Sequence, residues 1–147
     1  MKLQIDTRVS SSVSQVAAGF QSDLFQALAP PFPRIKLLKF DGNKVGDIVS
    51  LELNFLVFKQ RWTSKIVHFE EREDLFSFID IGTELPFFLK SWQHRHHIYQ
   101  ESDNSTIISD QIQFTAPFGL SFLLWPALYL QFLYRKPVYK RIFNKNR

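Results

Sequence analysis

The 147-residue sequence contains no cysteine, which excludes disulfide bonds, thiolate chemistry and cysteine-ligated zinc sites. It also lacks a Gly-rich phosphate loop, a nucleophile motif, an internal repeat and any long low-complexity segment. The first residues, Met1 to Asp6, alternate polar and apolar and have no continuous apolar segment of the kind that a signal peptide requires. We therefore expect a cytoplasmic protein whose residues 1–147 form a single domain.

Acidic residues are absent from the C-terminal end, where the segment Arg135 to Arg147 holds six Lys or Arg residues. A basic segment of this kind is able to contact nucleic acid or an anionic membrane. The rest of the chain is close to neutral, which favours a solvated helix end whose cations complement the negative end of the helix dipole. We predict no nucleic-acid partner, and at most weak contact of this basic C-terminus with a membrane surface.

Hydrophobic periodicity predicts a mainly antiparallel sheet with helices at both ends of the chain. The predicted strands are Leu3–Val9, Ile35–Phe40, Ile48–Phe58, Trp62–Glu70, Leu75–Ile81, Ser91–Gln100 and Thr106–Phe114. Two short helices follow the first strand, since Ser12 is able to cap the first helix and Gly19 to end it. One long helix is predicted from Leu120 to about Phe143, with a kink at Pro126 or Pro137.

The last two predicted strands form a hairpin with an unusual inward face. Alternation of side chains along a strand places Trp92, His94, His96 and Ile98 on one side of the first strand. The second strand carries Thr106, Ile108, Asp110, Ile112 and Phe114 on one side. Both sets mix large apolar groups with ionisable ones, a mixture that suits a partly apolar cavity better than a dry core.

At these residues the chain resembles a known family. The motifs are Phe78-x-Asp80, a Pro86-Phe87 turn, Trp92-x-His94-x-His96, and Thr106 followed by Asp110-x-Ile112-x-Phe114-x-x-Pro117-x-Gly119. Together they are similar to the START-related helix-grip superfamily, in particular to its small bacterial polyketide-cyclase-like or lipid-transport-like members. The segment Glu84–Phe88 departs from the Gly-Pro-Phe that such proteins tend to carry before the Trp.

The resemblance implies an α+β fold in which a curved antiparallel sheet wraps a long C-terminal helix, with two short helices after the first strand. It also implies that a hydrophobic or amphipathic small molecule, lipid-like or polyketide-like, binds in a pocket between the sheet and this helix. We expect no cofactor. The predicted ligand-binding residues are Trp62, Phe78, Asp80, Trp92, His94, His96, Asp110 and Ile112.

Three alternatives stay open on the sequence alone. The pocket His and Asp residues are suited to general acid/base catalysis, as in the cyclases and dehydratases of this superfamily. We expect no metal site, although His94 and His96, two residues apart on one strand, are placed to bind a metal with Asp80 or Asp110. The uncharged segment 117–134 is long enough to anchor the chain in a membrane, but Pro126 and Gln131 interrupt it, and contact with a membrane surface through its Phe122, Trp125 and Tyr129 face is favoured over a span.

Overall fold

The computed structural model of this chain describes residues 1–144, which form one curved antiparallel sheet and a set of helices on its concave side. The strands are β1 (Lys2–Val9), β2 (Arg34–Phe40), β3 (Ile48–Asn54), β4 (Lys59–Arg72), β5 (Leu75–Glu84), β6 (Ser91–Ser102) and β7 (Ser105–Thr115). The α-helices are α1 (Val13–Ala18), α2 (Ser22–Ala27), α3 (Ser121–Leu133) and α4 (Arg135–Phe143).

The strand order is β1-β7-β6-β5-β4-β3-β2, and every neighbouring pair is antiparallel. From β2 onward the sheet is therefore a meander, as the short reversals predict. The exception is β1, which pairs with β7 so that Ile5 lies opposite Asp110. This pairing leaves the strand that follows α1 and α2 at the far edge of the sheet and confirms the predicted α+β architecture.

The two short helices close one end of the concave face. Ser12 caps α1 through a reciprocal capping box with Gln15. Gly19 ends the helix, and a Cβ atom added there would lie 2.6 Å from the Phe143 ring. Glycine at this position leaves room for the Phe143 ring, which the last turn of α4 packs directly against the backbone.

The C-terminal helix is nearly continuous from Ser121 to Phe143, with its break at Tyr134. Tyr134 itself keeps helical dihedral angles. The break has a local cause, because Pro137 has no N–H to donate to the Leu133 carbonyl. Pro126, the other predicted kink position, lies inside α3.

The buried side chains form two cores, one under each half of this helical run. The first core packs α1, α2 and α4 on the sheet and includes Val16, Phe20, Leu24, Phe78, Ile98, Ile108, Val138, Tyr139 and Phe143. The second core lies under α3 and consists of Leu3, Ile5, Leu89, Trp92, Ile112, Phe114, Leu128 and Phe132. The inward faces predicted for β6 and β7 are confirmed by this burial.

Two local predictions were wrong. The reversal expected at Lys59–Arg61 instead occupies residues 55–58, where the Leu56 N–H donates to the Asn54 side chain and Leu56 has a φ of 75°. Strand alternation from Trp62 also predicts that Ile66 and His68 share one side of β4, but a bulge shifts the register between these two residues. Phe69 rather than His68 is therefore packed against the first core.

No helix among the described residues 1–144 is long and apolar enough to cross a membrane. The helix α3 holds most of the apolar segment 117–134, but it has 13 residues and packs on β1 and β7. A bilayer-spanning helix needs about 20 residues. The structure therefore gives no support to the alternative of an anchor formed by this segment.

Candidate functional site

A cavity of about 400 Å³ lies between α3 and the part of the sheet from β2 to β6. Its walls are mainly apolar and aromatic, and they include Phe25, Leu51, Phe55, Trp62, Phe78, Phe88, Trp92, Leu124, Leu128 and Phe132. Trp62 and Trp92 meet edge to face with their ring centroids 4.6 Å apart. The cavity exists because α3 packs on β1 and β7, at one side of the curved sheet, and leaves the other half of the concave face uncovered.

One end of the cavity is polar, and three of its groups come from neighbouring positions on β5 and β6. Asp80 lies opposite His94 and Phe78 lies opposite His96 in the β5–β6 register. Because side chains two residues apart share a face, the register brings the carboxylate and both imidazoles together on the concave side. All three groups are buried, and all three also line the cavity.

Each histidine is held by its own carboxylate. His96 Nε2 lies 2.9 Å from Asp80 Oδ2, and His94 Nε2 lies 2.8 Å from Asp110 Oδ1. Since a carboxylate only accepts, each Nε2 carries the proton and donates it. The two imidazole rings stack with centroids 3.6 Å apart, and Phe78 stacks on the outer side of His96 at 4.1 Å.

The helix α4 supplies the cation that this cluster needs. Arg135 Nη1 lies 3.3 Å from Asp110 Oδ1 and 3.4 Å from the Tyr139 hydroxyl oxygen, so it is able to donate to either. The guanidinium also lies 4.4 Å over the Phe132 ring. Arg135 contributes to the cavity wall, whereas Asp110 and Tyr139 lie behind it.

The protonation states follow from burial and from these partners. Burial alone would raise the pKa of Asp80, but the hydrogen bond from His96 and the nearby imidazoles outweigh it and lower the pKa. Burial likewise opposes ionisation of Asp110, and the charge of Arg135 with the His94 hydrogen bond lowers its pKa. Burial and the neighbouring His94 lower the pKa of His96 to about 4. At neutral pH both carboxylates are therefore charged and His96 is neutral.

The geometry does not favour a shared metal ion. Asp80, His94 and His96 offer donor atoms within 4.8 Å of one another, which is close enough for a metal site. A metal ion, however, lies along the in-plane lone pair of each imidazole that binds it. Two rings stacked 3.6 Å apart, with planes at 28°, aim these lone pairs side by side rather than at a common point.

The structure places the predicted ligand-binding residues in two groups. Trp62, Phe78, Asp80, Trp92, His94 and His96 all line the cavity. Asp110 reaches it only through His94, and Ile112 packs in the second core under α3 rather than on the cavity wall. The alternation that places Ile112 on the concave face is right, but α3 covers that part of the face.

Sequence reasoning missed Arg135 and Tyr139 as members of this site. It grouped Arg135 with the solvated basic tail, whereas in the structure the side chain is only 17% exposed and lies against Asp110. A signal was present, because Leu128, Phe132, Arg135 and Tyr139 recur at helical spacing and therefore share one face. The tail residues Lys145 and Arg147 lie outside the described residues.

The sequence matches no protein-family profile and no curated relative, but its fold matches solved structures. Protein CV1439 from Chromobacterium violaceum has a TM-score of 0.71 and 14% identity, over 99% of this chain and 98% of that chain. The Zhui aromatase/cyclase from a Streptomyces species has a TM-score of 0.60 and 15% identity, over 79% and 68%. Norcoclaurine synthase from Thalictrum flavum has a TM-score of 0.62 and 13% identity, over 90% and 89%.

These similarities agree with the strand order, the paired short helices and the long C-terminal helix described above. At such identities they establish the fold and leave the ligand and the activity undecided. The architecture that the hairpin motif predicts is thereby confirmed: the chain has a helix-grip fold.

Proposed function

We propose that this protein binds a hydrophobic or amphipathic small molecule, lipid-like or polyketide-like, in the cavity between α3 and the sheet. The observation that carries the proposal is the cavity itself, with about 400 Å³ of space, aromatic walls and one polar end. Ligand pockets typically enclose about 300–1,000 Å³ and combine apolar walls with a few polar groups. The apolar body of the ligand would lie against Trp62, Trp92 and the phenylalanines.

The two kinds of wall would have different tasks. Burying a CH₂ group contributes about 0.8 kcal/mol, so a ligand gains most of its affinity from the apolar walls. A hydrogen bond contributes only about 0.5–1.5 kcal/mol net, but a buried group left without a partner costs more. The Asp80 carboxylate, which accepts, and the Arg135 guanidinium, which donates, would therefore orient a ligand by its polar group.

A test is to fill the cavity from a position that the fold tolerates. Ala127 lines the cavity from α3 and is exposed, so Ala127→Trp would reduce the space without disturbing a core. We expect an apolar naphthalene-sulfonate dye to bind the wild type saturably and to bind Ala127→Trp at least tenfold more weakly. Leu130→Trp, on the exposed side of the same helix, is the matched control and should bind like wild type.

Equal dye affinity in wild type and Ala127→Trp would contradict the proposal. Native mass spectrometry of protein purified from its own cells, with extraction of anything bound, identifies the chemical class of the natural ligand. The tryptophans of the cavity wall, Trp62 and Trp92, supply an internal signal, because their fluorescence should change when the cavity fills.

General acid/base catalysis is the second candidate, and the paired histidines favour it. Each His–Asp pair fixes the tautomer of its imidazole, as a catalytic base requires. Norcoclaurine synthase and an aromatase/cyclase share the fold. The lowered pKa of His96, however, makes this imidazole a weak base at neutral pH, so binding without turnover is the better-supported function.

Substitution separates the two candidates. In an enzyme, His94→Gln or Asp110→Asn should abolish turnover of polyketide-like or ester substrates while ligand affinity stays within a few-fold. In a binding protein the wild type turns over none of these substrates, and the same substitutions change affinity alone. Turnover that requires an added divalent metal would instead support a metal at His94 and His96, against the ring geometry.

A further inference from the structure

The outward face of α3 is as apolar as its buried face. Leu128 and Phe132 are buried, yet Phe122, Leu123 and Leu130 on the other side are exposed, and the helix contains no charged residue. Surface helices normally pair an apolar stripe with a polar outer face. A helix that is apolar on both sides indicates that its outer face meets something other than water.

Apolar side chains also stand at the tips of the neighbouring loops. In the β3–β4 turn, Leu56 is 77% exposed and Val57 is 88% exposed, and Phe118 in the β7–α3 link is 95% exposed. Leu56 and Phe118 are the two non-glycine residues with positive φ in the described part of the chain, at 75° and 59°. Such a conformation strains a bulky residue, and strain of this kind is concentrated at functional sites.

These tips belong to loops at one and the same end of the antiparallel sheet. The β3–β4 turn touches the β5–β6 loop through Phe58 and Phe87, whose rings lie 5.8 Å apart. That loop in turn joins the end of β7 through the bond from the Lys90 N–H to the Thr115 carbonyl. We call the exposed set Leu56, Val57, Phe87, Phe118, Phe122 and Leu123 the apolar rim. The rim borders the cavity, because Phe55, Phe88 and Leu124 belong to its wall.

Four cations lie on the segments next to the apolar rim. Lys59 and Arg61 follow the β3–β4 turn, Lys90 ends the β5–β6 loop, and the Lys2 carbonyl accepts from Trp125 of α3. Two acids are near, since Glu52 lies 3.6 Å from Lys59 and Glu84 lies 3.9 Å from Arg61. Four cations against two acids leave a net charge of +2 around an apolar surface, the combination that favours an anionic lipid surface.

We propose that the apolar rim docks on the surface of a bilayer containing anionic lipids, so that the cavity opens toward the membrane. The proposal rests on the proposed function, because an apolar ligand dissolves in lipid and would enter the cavity without crossing water. A second copy of the chain is a poorer occupant, since a symmetric contact through the rim brings like charges together. The basic α4 lies toward the other end of β1, where Asn144 accepts from the Ser10 N–H, and takes no part in this surface.

The test is co-sedimentation with phosphatidylcholine vesicles that do or do not contain phosphatidylglycerol. We expect wild type to bind the anionic vesicles, and the double variant Val57→Ser/Phe118→Gly to bind at least tenfold more weakly. Phe118→Gly also removes the backbone strain, so the double variant should melt no lower than wild type. Val67→Ser, which removes an exposed valine from β4 away from the apolar rim, is the matched control and should bind like wild type.

The same proteins are titrated with the naphthalene-sulfonate dye in the absence of vesicles. Dye binding without vesicle binding by wild type would overturn the docking proposal and leave the proposed function standing. Vesicle binding without dye binding would overturn the proposed function and support docking. Undiminished vesicle binding by the double variant, or a wild-type dimer that the double variant abolishes, would also overturn docking on lipid.

Discussion

The two halves of the C-terminal helical run, α3 and α4, have opposite surfaces. The exposed face of α4 carries charged residues, and its inward face buries Val138, Tyr139 and Phe143 in the first core. The helix α3 has no charged residue and leaves much of its apolar surface exposed. The comparison shows that α4 stabilises the fold and supplies a cation to the polar end of the cavity, whereas α3 provides a wall and an outer surface.

The largest expected effect comes from the cation of α4. Arg135→Met should lower the free energy of unfolding by about 3–5 kcal/mol, because it leaves the Asp110 carboxylate buried without its charged partner. Lys136→Met, at the next and half-buried position, removes only the hydrogen bond from Nζ to the Asp6 carbonyl and should change this free energy by about 0.5–1.5 kcal/mol. Urea denaturation measures both.

A double-mutant cycle sharpens this prediction. If the loss arises from the unpaired carboxylate, Asp110→Asn in the Arg135→Met background should restore part of the stability. Equal losses of unfolding free energy in the Arg135→Met and Lys136→Met proteins would show that α4 stabilises the fold by apolar packing alone. The two helices would then differ only in how much of their apolar surface is buried.

A smaller effect is expected on acidification, and it belongs to the polar cluster beneath α4. The pKa of His96 is about 4 in the folded chain against an ordinary value of 6.5, so only the unfolded state takes up this proton between these pH values. Stability should therefore fall as the pH drops through this window, by about 3 kcal/mol at 1.36 kcal/mol per pH unit. Below that window the lowered pKa values of Asp80 and Asp110 add further losses.

Urea titrations at a series of pH values measure this slope. In His96→Gln the fall between pH 6.5 and about 4 should be reduced, because glutamine is still able to donate to Asp80 and does not titrate. His68→Gln, which replaces an exposed histidine on β4, is the control and should keep the wild-type slope. An unchanged slope in His96→Gln would assign the acid sensitivity to other groups.

The smallest effect is expected at the outer face of α3. Leu130→Gln should change the free energy of unfolding by no more than about 0.5 kcal/mol, since the Leu130 side chain is mostly exposed in the folded chain. Thermal or urea unfolding checks this value. A loss of several kcal/mol would mean that this face is covered in the isolated protein, for example by a second copy, and would remove the contrast between the two helices.

Much of the fold was predictable because its signals are local. Strand alternation correctly placed Asp80, His94, His96 and Asp110 on the concave face, since the two-residue period of a strand depends only on the backbone. The cap at Ser12 and the stop at Gly19 were predicted for the same reason. The reversal after β3 was misplaced, because the apolar residues 55–58 have a pattern typical of a strand. They form a turn instead, which the Asn54 side chain stabilises by accepting from the Leu56 N–H.

The sequence by itself determined which side chains face inward and where the helices form, since these depend on backbone periodicity and on neighbours within a few residues. Only the tertiary structure decided which inward residues line a cavity and which are covered, because that depends on where α3 crosses the sheet. The same holds for the pairing of Arg135 with Asp110, 25 residues apart, and for the grouping of three loops into the apolar rim. Contacts of this kind arise from segments that meet only after the sheet has curved, so no local pattern records them.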